Sequence, residues 1–112
     1  IVILNVVQHH INKNINKKIT AFAASIMKIS IELTLTPLKD DYESHIIDFI
    51  KALRASEFKV LENPLSTQIY GDYDTLMPFL TREIKKSFLE IEIAVLNMKI
   101  VKTDRSDYEP DF

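Results

Sequence analysis

Seven polar residues carry the chemistry this 112-residue sequence can offer: Glu32, Thr34, Ser66, Thr67, Gln68, Tyr70 and Asn97. A carboxylate, amides and hydroxyls can pair the amino group and ring nitrogens of a heterocycle, and a tyrosine ring can stack on it. The set therefore suits a small-molecule site. Other chemistries have less to work with. There is no cysteine, so neither a disulfide framework nor a thiolate metal site is available. His9, His10 and His45 match no zinc spacing. His45 lies between Ser44 and Ile46, and no Ser or Cys stands three or four positions from it on a helix face. It reads as a surface or half-buried histidine rather than a general base.

The elements that must position these residues follow from periodicity. "KISIELTLTP" alternates strictly, with Ile29, Ile31, Leu33 and Leu35 on one side and Ser30, Glu32, Thr34 and Thr36 on the other. That is a half-buried strand, closed by Pro37. "LKDDYESHIIDFIKALRASEF" predicts a helix capped by Asp40 or Asp41. Its apolar stripe is Ile46, Ile47, Phe49, Ile50 and Leu53, and Lys51 and Arg54 suit its C-terminal end. "FKVLEN" and "LSTQIYG" are short strands separated by Asn63-Pro64. "DYDTLMPFLTREIKKSFLE" predicts a second helix capped by Asp74 or Thr75, with Pro78 in or just beyond its first turn. Leu76, Phe79, Leu80, Ile84 and Phe88 form its stripe. The last strand, "EIEIAVLNMKIVK", sets Ala94, Leu96, Met98 and Ile100 against Val95, Asn97, Lys99 and Val101.

The order is β-α-β-β-α-β, which predicts an α+β, ferredoxin-like fold. An antiparallel four-stranded sheet, ordered 4-1-3-2, would carry both helices on one face. Glu32, Thr34, Asn97 and Lys99 would then share the uncovered face. From the third strand, either Ser66, Gln68 and Tyr70 or Thr67 and Ile69 join them; alternation does not decide, because both sets contain polar residues. Val95 and Val101 suggest that part of this face is covered by another subunit. Gly71, the only glycine in the chain, is expected to serve a sharp turn into the second helix through a positive φ.

Charge divides the chain. The first acid is Glu32, whereas Lys13, Lys17, Lys18 and Lys28 precede it. From Met27 onward there are eleven basic and sixteen acidic residues. An acidic body argues against nucleic acid as a partner, since that binding neutralises phosphates. No run reaches the length of a membrane span. Residues 1–26 form a leader with three readings: upstream translation or an expression remnant before Met27, a targeting segment, or an element packed on the domain. For the second, Ile11, Ile15, Ile19, Phe22 and Ile26 would share a helix face beside lysines, although arginine is absent. The domain proper is 27–104, and 105–112 is an acidic tail expected to be loose. A cytoplasmic location is expected, or an organelle if the leader is a presequence.

"ISIELTLTPL", "STQIYGDYD" and "MKIVK" together resemble the YkoF-like thiamine/hydroxymethylpyrimidine-binding family, over about residues 27–104. Ser66-Thr67 matches the family's Ser-Thr position, Gly71 its glycine, and Thr34 a position held by a small hydroxyl residue. Glu32, Gln68, Tyr70 and Asn97 rest on face and chemistry alone. The resemblance implies non-catalytic binding of thiamine or its aminopyrimidine moiety as a ligand, with no cofactor. It also implies a homodimer or homotetramer joined through sheet faces. Acids at both helix starts would repel phosphate and favour a thiazolium cation, so unphosphorylated thiamine is the expected preference. Two alternatives stand beside this reading. One is a regulatory or assembly module whose sheet face only joins subunits. The other is a cofactor-free ferredoxin-like enzyme; an acylphosphatase is disfavoured because the first loop offers Lys39 and no arginine.

Overall fold

The computed structural model describes residues 12–15 and 26–112. The leader lies outside the described residues except for a helical turn at 12–15 and Ile26. The body is β1 (Lys28–Pro37), α1 (Glu43–Arg54), β2 (Lys59–Glu62), β3 (Thr67–Asp72), α2 (Tyr73–Glu90) and β4 (Ala94–Val101). The strands form one antiparallel sheet in the order β2-β3-β1-β4, the ferredoxin-like arrangement expected from the element order.

The alternation in β1 sets the layers. Ile29, Ile31, Leu33 and Leu35 are buried, and they pack with Ile69 of β3 against Phe49 and Leu53 of α1 and Leu76 and Leu80 of α2. Each such side chain contributes roughly 1.5–3 kcal/mol when removed from water. Ile47 and Phe88, expected in the helix stripes, are instead exposed at 48% and 44%. They lie outside the arc that the four-stranded sheet covers. Ile100 shares the helix side of β4 with Met98, yet it is also exposed, because β4 is an edge strand.

Local chemistry places the breaks. α1 begins later than its sequence suggests: Tyr42 is the N-cap, without a side-chain cap hydrogen bond, and Asp40 and Asp41 stay in the preceding loop. Arg54 at its end donates to both carboxylate oxygens of Glu62, at 2.6 and 2.7 Å, and so ties α1 to β2. The β2–β3 hairpin closes on Asn63, whose Oδ1 accepts from the backbone N–H groups of Leu65 and Ser66. That Asx geometry replaces the glycine of a more usual hairpin. α2 starts directly after β3. Its N-cap is Asp72 rather than Asp74 or Thr75, again without a side-chain cap bond. Pro78 therefore falls at the sixth helical position, past the first turn, where it leaves the Asp74 carbonyl without its helical donor.

Gly71 does not serve a positive-φ turn. No described residue has positive φ, and Gly71 lies within β3. A Cβ built there would come 2.7 Å from Phe58 Cδ1. The glycine is required by the close approach of the Phe58 ring, which also packs on Phe79 with centroids 5.4 Å apart.

The C-terminal tail is not loose along its whole length. Ser30 Oγ donates to the Thr103 carbonyl at 2.7 Å and accepts from the Arg105 N–H at 2.8 Å. Lys59 Nζ lies 3.1 Å from Asp107 Oδ1. Residues 103–108 thus form a strap across the open face of the sheet. Val101 is half-buried and lies beside this strap.

Candidate functional site

The sheet register sorts the candidate residues. Glu32 lies opposite Gln68 on β3 and opposite Lys99 on β4, and Ser30 lies opposite Tyr70 and Val101. All of these point away from the helices. Leu33 is opposite Thr67, and Ile31 opposite Ile69, so Thr67 points toward the helix side and is buried. Of the two sets that alternation left open, Gln68 and Tyr70 are the ones that share the face of Glu32.

Sheet and strap border an open cleft of about 600 Å³. Glu32, Gln68 and Tyr70 line it from the sheet, with Lys99, Leu61 and Val101 beside them. Arg105, Ser106 and Tyr108 line it from the strap. Ser66 reaches its border, donating its hydroxyl to Glu32 Oε2 at 3.1 Å. Thr34 and Thr67 are elsewhere, in a groove of about 200 Å³ beside α1 that Ser66 also borders. Asn97 lies opposite Thr34, exposed and outside the cleft. Glu32, Thr34, Thr67 and Asn97 do not line one cavity: Thr67 is on the opposite face of the sheet, and Thr34 and Asn97 pair with each other outside the cleft.

Two side chains are oriented by each other. Tyr70 Oη donates to Gln68 Oε1 at 2.8 Å. Burial, more than any charge, pushes the Tyr70 hydroxyl above its ordinary pKa; Asp104 and Glu32 act in the same direction and Lys59 opposes. The phenol therefore stays protonated and keeps donating. With its oxygen engaged, the Gln68 amide retains its N–H groups as donors beside the Glu32 acceptor. On the strap, the Ser106 hydroxyl and N–H hold the Asp104 carboxyl below its ordinary range. His45 is distant from this arrangement. It is half-buried on α1, with Nε2 3.3 Å from Lys39 Nζ, in a groove between the two helices.

The sequence reading missed the strap contribution. Arg105, Ser106 and Tyr108 fall in a short polar tail with no periodicity. Only Ser30, a small hydroxyl among the outward positions of β1, hinted that something docks there. The helix starts, with Asp72 and Asp74, do not line the cleft. The expected repulsion of phosphate by those acids therefore has no basis at this site.

No protein-family model matches the chain, and no curated protein matches it in sequence. Solved structures do match. A Streptococcus pneumoniae protein superposes with a TM-score of 0.66 at 28% identity, over 72% of this chain and 92% of that one. A candidate thiamine biosynthesis/salvage protein of Thermotoga maritima superposes with a TM-score of 0.62 at 15% identity, covering 73% and 89%. The chain shares the fold of these proteins. A Bacillus cereus domain of unknown function, DUF77, adds a TM-score of 0.58 at 17% identity, covering 77% and 80%. These neighbours fit the YkoF-like resemblance at low sequence identity. Among the described residues, no helix is long and apolar enough to cross a membrane, and no group of three metal-ligating side chains gathers.

Proposed function

We propose that the protein binds thiamine or its hydroxymethylpyrimidine moiety, without transforming it, in the cleft between sheet and strap. The observation that carries this reading is the Tyr70–Gln68 hydrogen bond beside Glu32. It leaves a fixed amide donor next to a carboxylate acceptor. An aminopyrimidine presents the complement, an exocyclic amino group next to a ring nitrogen. Leu61, Val101 and the rings of Tyr70 and Tyr108 supply apolar and stacking surface for its faces. The Thermotoga maritima neighbour, named for thiamine biosynthesis or salvage, lends support at the level of fold.

Calorimetric titration with thiamine and with hydroxymethylpyrimidine tests the reading. Saturable binding near one site per chain is expected, lost in Glu32→Ala and weakened in Gln68→Ala. Thr67→Val should leave it unchanged, since Thr67 lies in the other groove. Loss in Thr67→Val with retention in Glu32→Ala would move the site to that groove. Absence of heat and of thermal shift with both ligands would refute the reading.

One observation favours the assembly module as a second reading. β4 is an edge strand, and Ile93 and Val95 near its start are exposed at 59% and 45%, clear of the cleft. Under that reading a homodimer or homotetramer joins there. Light scattering would then give a multiple of the chain mass that Val95→Lys reduces.

A further inference from the structure

The charges around the cleft are unevenly satisfied. Glu32, the acid that lines it, accepts from Ser66, and on the strap nearby Asp104 accepts from Ser106 and Asp107 holds Lys59. Two cations differ from these. Lys99 and Arg105 both line the cleft, and neither side chain has a hydrogen-bond or ion-pair partner among the described residues. Lys99 faces Glu32 across the β1–β4 register, yet the two form no ion pair. The cations come from different elements, β4 and the strap, and meet at one cleft whose volume exceeds the needs of a single pyrimidine ring.

We propose, building on the pyrimidine reading above, that the ligand carries a phosphate monoester seated by Lys99 and Arg105. The aminopyrimidine then lies against Glu32 and Gln68. A phosphomonoester brings between one and two negative charges at neutral pH and several acceptor oxygens. The arginine fork can take two of those oxygens, and the lysine adds a point charge. An unphosphorylated thiamine would instead bring its thiazolium cation to a cleft with two unpaired cations. The order of preference is therefore the reverse of the one expected from acids at the helix starts. Because Arg105 is carried by the strap, the ester also bridges strap to sheet.

The test is calorimetry on the full chain with five probes: hydroxymethylpyrimidine, its phosphate monoester, thiamine, thiamine monophosphate and inorganic phosphate. Each ester is expected to bind at least about tenfold tighter than its parent alcohol. That ratio should shrink as sodium chloride rises, because exposed charge pairs are screened. It should fall toward one in Lys99→Gln and in Arg105→Gln, both at exposed positions and each checked for native circular dichroism. Equal affinity of ester and alcohol would overturn the phosphate seat while leaving the pyrimidine reading intact. Inorganic phosphate binding as tightly as the esters would also overturn it, since the cations would then read an anion without the ring. No binding by any of the four organic probes would overturn both.

Discussion

Phe58 occupies the space that a side chain at position 71 would need, and Phe79 limits how far the ring can retreat. Gly71→Ala should therefore cost about 1–3 kcal/mol, the usual penalty for overpacking a filled site. Urea unfolding measures it. The loss should be smaller when measured against a Phe58→Leu background, where the ring edge is gone. An equal loss in both backgrounds would point to backbone propensity rather than contact. The same reasoning applies to Tyr70. Tyr70→Phe keeps the ring but releases Gln68 Oε1, so the amide is free to rotate. Ligand affinity should drop about two- to tenfold, the worth of one hydrogen bond. Unchanged affinity would show that the amide needs no orienting. Neither role could be read from the sequence. A lone glycine before an acidic pair signals a turn, and contact with a ring thirteen positions earlier in the chain leaves no mark on local pattern.

At the level of elements, the strap is the part that converts an open sheet into a cleft. Two hydrogen bonds at Ser30 hold it, and both vanish in Ser30→Ala. The Arg105 amide should then exchange with solvent far faster, with the β1 amides unaffected. Ligand binding should weaken, because Arg105, Ser106 and Tyr108 leave together. Slow exchange retained at Arg105 would mean that other contacts hold the strap. The sheet and helices were legible in the sequence for a physical reason. β1 alternates without a break, and each helix stripe repeats at 3–4 residues, so burial and pattern express the same constraint. Glu32 was legible on the open face from alternation alone, whereas Gln68 and Tyr70 joined it only once the β1–β3 register was known. Thr67 could not be sorted from sequence, since a buried threonine on the core side looks like a polar one on the open side. The strap was illegible because what it offers Ser30 is the Thr103 carbonyl and the Arg105 N–H, backbone groups that any sequence supplies.

Across the whole molecule, displaced ionisable groups among the described residues contribute to the pH range of stability. Arg54 hydrogen-bonds Glu62 and holds its carboxyl below the ordinary 4.5. Ser106 does the same for Asp104 relative to 3.8. Burial raises Tyr70 above 10.0. For the two carboxylates the folded pKa is depressed, so the unfolded chain takes up protons first as pH falls. Their stabilisation is complete above the unfolded values and is lost as pH drops through the folded ones. For Tyr70 the sign is opposite: the unfolded chain ionises first, so stability is full below 10.0 and falls as pH rises through the folded value. Urea midpoints should therefore form a plateau that declines below pH 4.5 and above pH 10.0. Glu62→Gln should lower the plateau slightly and flatten the acid limb, because the exposed Arg54 pair is one source of that slope and exposed pairs are weak. Tyr70→Phe should flatten the alkaline limb alone. An acid limb of equal steepness in Glu62→Gln and the parent would remove the α1–β2 ion pair from the account.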